Sequence, residues 1–381
     1  IVTKNKFAFG GLTSSNVTHT VKGNIQVNGT GATIDLNSTG SGSSSVLVNL
    51  EGDLIGTVGT IQSTDGGCGI AFTNTTLQNI NVADAVPYNN INTYIKNGAV
   101  AQLYDNNLKL NNNSTFTVEA GGLFNFNWDT DNITPLMIVN GASGTNTFTS
   151  QDASTLKITD LLGLVKTTAN AGNVQLSVSN KTFSQVATFW YIGKNNQVTG
   201  DAITTGSTGK IIICELLDNS KQLTFTNSTG ITNNTTASPT GGMLDIRKGQ
   251  IIESTTAYIT GSTGTLYMSP GTLYYVPVGY STLTTEVGSS GGTYIPRLLG
   301  SAFSYNLTGG TIELAGTGAS HVFQTLRGGR TYKNIKFSGA NSTYSYPTLT
   351  DYKNLSSNTV IDSTLIITND AIVDCIDNSG G

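Results

Sequence analysis

The chain has 381 residues, a formal net charge of −4 and only 11% charged residues. Thr (59), Gly (45), Asn (39) and Ser (35) make up about 47% of it, far above globular usage. Helix surfaces are normally built from Glu, Lys and Arg, so this composition excludes a mainly helical protein. The 37% hydrophobic residues, with 13 Phe and 15 Tyr, suffice for a long core, and the low net charge lacks the self-repulsion of a disordered chain.

In chain order, short alternating apolar segments recur: Ile25/Val27, Ile34/Leu36, Val46/Val48/Leu50, Leu108/Leu110, Phe116/Val118, Val174/Leu176/Val178, Leu223/Phe225 and Ile312/Leu314. Clusters of Gly, Asn, Asp, Ser and Thr separate them, which predicts strands joined by turns at intervals of about 8–12 residues. Leu156 to Thr168, with Leu161, Leu162 and Leu164, is the one stretch read as a short helix. Gly264-Thr265-Leu266-Tyr267 is echoed by Gly271-Thr272-Leu273-Tyr274, which reads as consecutive faces of one coil. Tyr332-Lys333-Asn334-Ile335 recurs as Tyr352-Lys353-Asn354-Leu355, an offset about one coil long in a parallel β-helix. Asn tolerates left-handed backbone, and stacked turns can pair their amides. The expected fold is therefore all-β: a right-handed parallel β-helix (β-solenoid) over 1–268, a β-sandwich insertion or irregular rungs over 269–300, a continuation over 301–376 and a linker over 377–381. Tandem antiparallel β-sandwich domains are the alternative.

The C-terminal part carries a resemblance. Gly310-Thr311-Ile312-Glu313-Leu314 leads through a turn to Tyr332-Lys333-Asn334-Ile335-Lys336-Phe337-Ser338-Gly339 and then to a rung at Asn358 to Ile367; Val276-Pro277-Val278-Gly279 and Tyr294-Ile295-Pro296-Arg297 add a second phrase. Over residues 240 to 374 this is similar to repeat-rich secreted surface proteins of Bacteroidota, gliding-adhesin-like substrates of the type IX secretion system. The resemblance implies a large exported adhesin or filament that engages secretion machinery. The sorting domain expected of such proteins is not among these residues, so the chain reads as part of a longer parent.

Candidate chemistry is sparse. Asp129 and Asp131, after Trp128, offer oxygens of the kind calcium takes, but the glycine and distal Glu of an EF-hand are missing, and a solvated turn is the better reading. Arg327, Arg330, Lys333 and Lys336 suggest an anionic-glycan patch, although strand geometry alternates such positions between faces. Asp351, Asp362, Asp370 and Asp374 suggest the acidic cleft of a β-helix polysaccharide lyase or hydrolase, without an accompanying His or Arg set. Tyr267, Tyr274, Tyr275 and Tyr280, or Phe124, Phe126 and Trp128, are candidate sugar-stacking rings, with core packing favoured. The triplets Thr115-Phe116-Thr117, Thr147-Phe148-Thr149 and Thr224-Phe225-Thr226 are too irregularly spaced to predict a flat Thr array. The Asn-x-Ser/Thr triplets follow from composition. No catalytic, cofactor-binding or metal-ligating set is assigned.

The remaining bounds come from scarcity. The two histidines, His19 and His321, exclude a multi-histidine metal centre, and Cys68, Cys214 and Cys375 form no C-x-x-C pair, so either buried thiols or one disulfide plus a free Cys is expected. With 19 basic against 23 acidic residues a basic nucleic-acid face is not expected, and no apolar run approaches the ~20 residues of a membrane-spanning helix. The expected function is a non-enzymatic exported surface or filament protein supporting adhesion, acting outside the cell on surface glycans or other surface proteins, with self-association as a further mode. A β-helix carbohydrate-active enzyme is the alternative; a phage tail fibre is a third, disfavoured by the lack of coiled-coil heptads.

Overall fold

Alternation with a period of two sends every second side chain inward, and the chain uses that period almost throughout. A computed structural model describes residues 1–10, 16–37, 45–64, 66–131, 133–141, 143–204, 209–231, 241–254, 257, 259–260, 263–277, 302–315, 331–338, 343–344, 360–368 and 372–373. Within them the protein is all-β. Every strand pair whose register is known is parallel, with one isolated antiparallel bridge between Trp128 and Pro135; among the described residues the antiparallel strand pairing of tandem sandwiches is not observed. The chain divides into two compact units, Ile1–Trp190 with Gly200–Ala202, and Tyr191–Thr199 with Ile203–Gly381.

In the first unit the strands fall into three columns, which the chain visits in rotation. One column carries Leu77–Val82, Val100–Leu103, Leu123–Asn125 and Thr155–Ile158; the next carries Tyr88–Asn89, Leu108–Asn111, Ile138–Asn140 and Val174–Gln175. The third carries Val17–Val21, Val46–Leu50, Gly69–Phe72, Asn92–Ile95, Thr115–Val118, Thr147–Ser150 and Lys181–Phe183. The long strand Leu54–Gln62 joins the first two columns, pairing Leu54 with Ile80 and Ile61 with Tyr88.

Inward residues form a continuous core. Phe116 packs on Phe124 at 4.7 Å between ring centroids and stacks on Phe148 at 5.9 Å, which in turn meets Phe183 at 5.6 Å. All are buried, and each such ring contributes roughly 2–3 kcal/mol by leaving water. Cys68 is a buried free thiol. At one corner Gly98, Gly121 and Ala153 all hold positive φ (76°, 76° and 59°), and Gly98 N donates to Gly121 O and Gly121 N to Ala153 O, both at 3.1 Å. Left-handed backbone costs an alanine about 1–2 kcal/mol, so stacking of the corner holds Ala153 where a glycine fits better.

In the second unit one column carries Ile211–Glu215, Met243–Lys248, Thr263–Met268 and Ala302–Leu307. Another carries Gln197–Val198, Gln222–Thr224, Gln250–Ile252, Leu273–Val276, Thr311–Leu314, Thr331–Phe337 and Val360–Ile367. The echo at Leu266 and Leu273 does fall on two different columns. Leu273–Val276 pairs with both Gln250–Ile252 and Thr311–Leu314, while residues 278–300, the rest of the segment 269–300, lie outside the described residues. Cys214 is a second buried free thiol; Cys375 lies outside the described residues.

Two sequence expectations are corrected. Leu156 to Thr168 is not a helix: Thr155–Ile158 is a strand, with Leu123 opposite Thr155 and Phe124 opposite Leu156, and the rest is irregular. The pair Leu156 and Ile158 obeys the two-residue period and enters the core, which overrides the helical look of the leucines that follow. Nor is the step between paired strands 20 residues. Tyr332 is opposite Ile361; residue 352 lies outside the described residues. Elsewhere Asn92 is opposite Thr115, but Thr115 is opposite Thr147, so the step varies with the length of each turn.

Candidate functional site

Outward residues of the strands Leu77–Val82, Val100–Leu103 and Leu123–Asn125 align in rows, because parallel strands in register place like positions side by side. The first row is apolar: Val100 stands opposite Leu77 on one side and Leu123 on the other, and Leu77 is 52% exposed. The second row is amide: Asn79, Gln102 and Asn125, each half-buried. Gln102 Nε2 donates to Asn79 Oδ1 at 2.8 Å and Asn125 Nδ2 to Gln102 Oε1 at 3.2 Å. The row ends on Asp53, whose carboxylate accepts from Asn79 N at 2.7 Å and from Asn79 Nδ2 at 3.4 Å. All the donors point toward the carboxylate, an order that lets each bond polarise the next.

A third row follows, with Asn81 accepting from Asn106 Nδ2 at 2.7 Å, Tyr104 42% exposed, and Asn127 Nδ2 donating to Leu103 O at 3.1 Å. Beyond Asn125 the amide row meets Lys157, the opposite residue on the next strand, and Lys157 Nζ stands 4.0 Å from the centroid of the Trp190 ring. Such a cation–π contact holds the ammonium by the ring quadrupole.

The other outward face of this unit is built differently. The triplets at 115–117 and 147–149 stack in register, Thr on Thr and Phe on Phe, and Thr149 is opposite Thr182. Their sequence spacing looks irregular only because a longer turn lies between them; the inward Phe116 and Phe148 set the register. Beside them Lys96 Nζ pairs with Glu119 Oε1 at 2.7 Å and lies 4.6 Å from the Tyr94 centroid.

The structure separates the residues singled out from the sequence. Asp129 is a turn residue: its Oδ1 accepts from Ile133 N at 3.0 Å and Thr134 N at 3.3 Å. Among the described residues no group of three or more His, Cys, Asp or Glu is placed to hold a metal ion. Phe124, Phe126 and Trp128 are core residues, as is Tyr274, whose hydroxyl donates to the buried Glu253 Oε1 at 2.7 Å. Burial and that carboxylate hold the Tyr274 hydroxyl well above the usual phenol range. Tyr267 and Tyr275 stay partly exposed, and Tyr280 lies outside the described residues. Of the basic set, Lys333 pairs with Asp362 and Lys336 lies 3.1 Å from Glu313; Arg327 and Arg330 lie outside the described residues. Of the acidic set only Asp362 is described, so Asp351, Asp370 and Asp374 stay unplaced. His19 Nε2 makes a polar contact of 2.8 Å with Phe9 O, and His321 lies outside the described residues.

The amide row was not singled out from the sequence. Its signal was there: an outward Asn or Gln at 79, 102 and 125, two positions after an apolar residue each time. Among the described residues no helix is long and apolar enough to cross a membrane. Comparison with known proteins returns no matching family model, no matching curated protein and no matching solved structure.

Proposed function

We propose that this chain winds as a right-handed parallel β-helix and belongs to a non-enzymatic exported protein of the cell surface or of a surface filament, where it supports adhesion. Parallel crossovers in one sheet are right-handed in about 98% of cases, which supports the hand. The observation that carries the function is the outward face of the first unit, where apolar and amide rows run unbroken across three strands. A surface that repeats the same chemistry at each strand presents many equal weak contacts, and these add when a partner also repeats. Surface glycans and other surface proteins fit that requirement, and so do further copies of the chain. The resemblance of residues 240 to 374 to exported surface proteins of Bacteroidota supports the location and engagement of secretion machinery.

Incubation of the protein with a panel of polysaccharides tests the reading. Bound but uncleaved polymer is the expected result, and released oligosaccharide overturns it in favour of a carbohydrate-active enzyme. Antibody labelling of intact cells tests the location; a purely cytoplasmic signal would end the export reading.

A further inference from the structure

We infer that the face made by the strands Leu77–Val82, Val100–Leu103 and Leu123–Asn125 binds an uncharged, extended polysaccharide that lies across the strands along the amide row. The inference rests on the adhesion reading and names its ligand class and its site.

The donors come first. An amide nitrogen carries two protons, and Asn79, Gln102 and Asn125 each commit one of them along the row. Three further N–H donors therefore stand one strand apart, at about 4.8 Å. Their spacing suits a partner whose acceptors repeat at a similar interval. The row from Asp53 to Lys157 crosses roughly 20 Å, room for several sugar rings.

Beside the donors, two residues along each strand or about 7 Å away, runs the apolar row of Leu77, Val100 and Leu123. On the other side stands Tyr104, an exposed ring with a polar rim. A sugar chain has the matching division: hydroxyls at the edges of each ring and C–H groups on its faces. A ribbon of such rings sets its edge on the amides while its faces meet the leucines or the tyrosine.

Charge selects among polymers. The three rows carry no ionised side chain. Asp53 is held by Asn79 at one end, and the Lys157 ammonium is held over Trp190 at the other. An anionic polymer would shed hydration along the rows without meeting a counter-charge there, whereas a hydroxylated neutral polymer exchanges hydrogen bonds with water for bonds to the amides.

The test is affinity electrophoresis of the whole chain through gels containing hydroxyethylcellulose, galactomannan or xylan, and in parallel alginate or polygalacturonate. Retardation by at least one neutral polymer is expected, unchanged between about 0.1 and 1 M NaCl. Gln102→Ala should weaken it by about ten-fold or more, and Tyr104→Ala, at an exposed position outside the buried core, should weaken it as well. Thr149→Val, on the other outward face, should leave it unchanged. Retention only by the anionic polymers, retention by none of the neutral ones, or retention of both Gln102→Ala and Tyr104→Ala equal to that of the unaltered chain overturns the inference. Released sugar would sink the adhesion reading whatever the variants do, whereas retention indifferent to both variants sinks only the site.

Discussion

Lys210 Nζ donates to Thr204 O at 2.5 Å from inside the second unit, where its residue has no exposed surface. Burial disfavours the ammonium and lowers its pKa from 10.5 to about 8. A lowered folded pKa means that the unfolded chain binds the proton more tightly, so stability rises with pH through the window from about 8 to 10.5. Below that window the full cost of the buried charge is present. Lys210→Met keeps the stem and removes the charge, and should stabilise the protein by about 1–3 kcal/mol at pH 7. Urea unfolding at pH 7 and pH 10.5 checks this: the gain should shrink at the higher pH, and an equal gain at both would refute the assignment. That Lys210 sits next to an apolar strand, Ile211-Ile212-Ile213, was visible in the sequence. Its burial was not, because a lysine at a strand start is ordinarily free to reach water.

At the scale of elements, the irregular segment between the strands Thr155–Ile158 and Val174–Gln175 is organised by one side chain. Asn173 is fully buried; its Oδ1 accepts from Thr159 N and Asp160 N, both at 3.0 Å, and its Nδ2 donates to Thr159 Oγ1 at 2.9 Å and Leu136 O at 3.0 Å. Asp160 adds a local turn by accepting from Leu162 N at 2.8 Å, which leaves Leu161 and Leu162 about half exposed. Asn173→Ala would strand backbone groups away from water at about 1–3 kcal/mol each. A loss of roughly 3–5 kcal/mol in denaturant unfolding is expected; a change below about 1 kcal/mol would show that the segment holds itself. The leucines of this segment mimic a helical stripe in sequence, and the partner that decides otherwise, Asn173, lies beyond them in the chain. By contrast Phe116, Phe148 and the Thr residues beside them were legible as strands, because their period of two needs no distant partner.

For the whole molecule, charge scarcity governs behaviour in solution. With a net charge of −4 and an isoelectric point near 5.2, self-repulsion vanishes near pH 5 and returns on either side. Light scattering should show a solubility minimum near pH 5 that deepens with protein concentration; uniform solubility from pH 4 to 8 would refute a charge-controlled association. Composition, the two-residue period and turn chemistry by themselves determined an all-β protein with an apolar interior and stacked amides, since those properties depend on each residue's immediate neighbours. The sequence favoured parallel pairing but left antiparallel sandwiches open, and tertiary structure decided between them; it alone fixed the variable steps between paired strands and the row of Asn79, Gln102 and Asn125. Which outward residues become neighbours depends on turn length, and turn length is absorbed by loops that carry no periodic signal of their own.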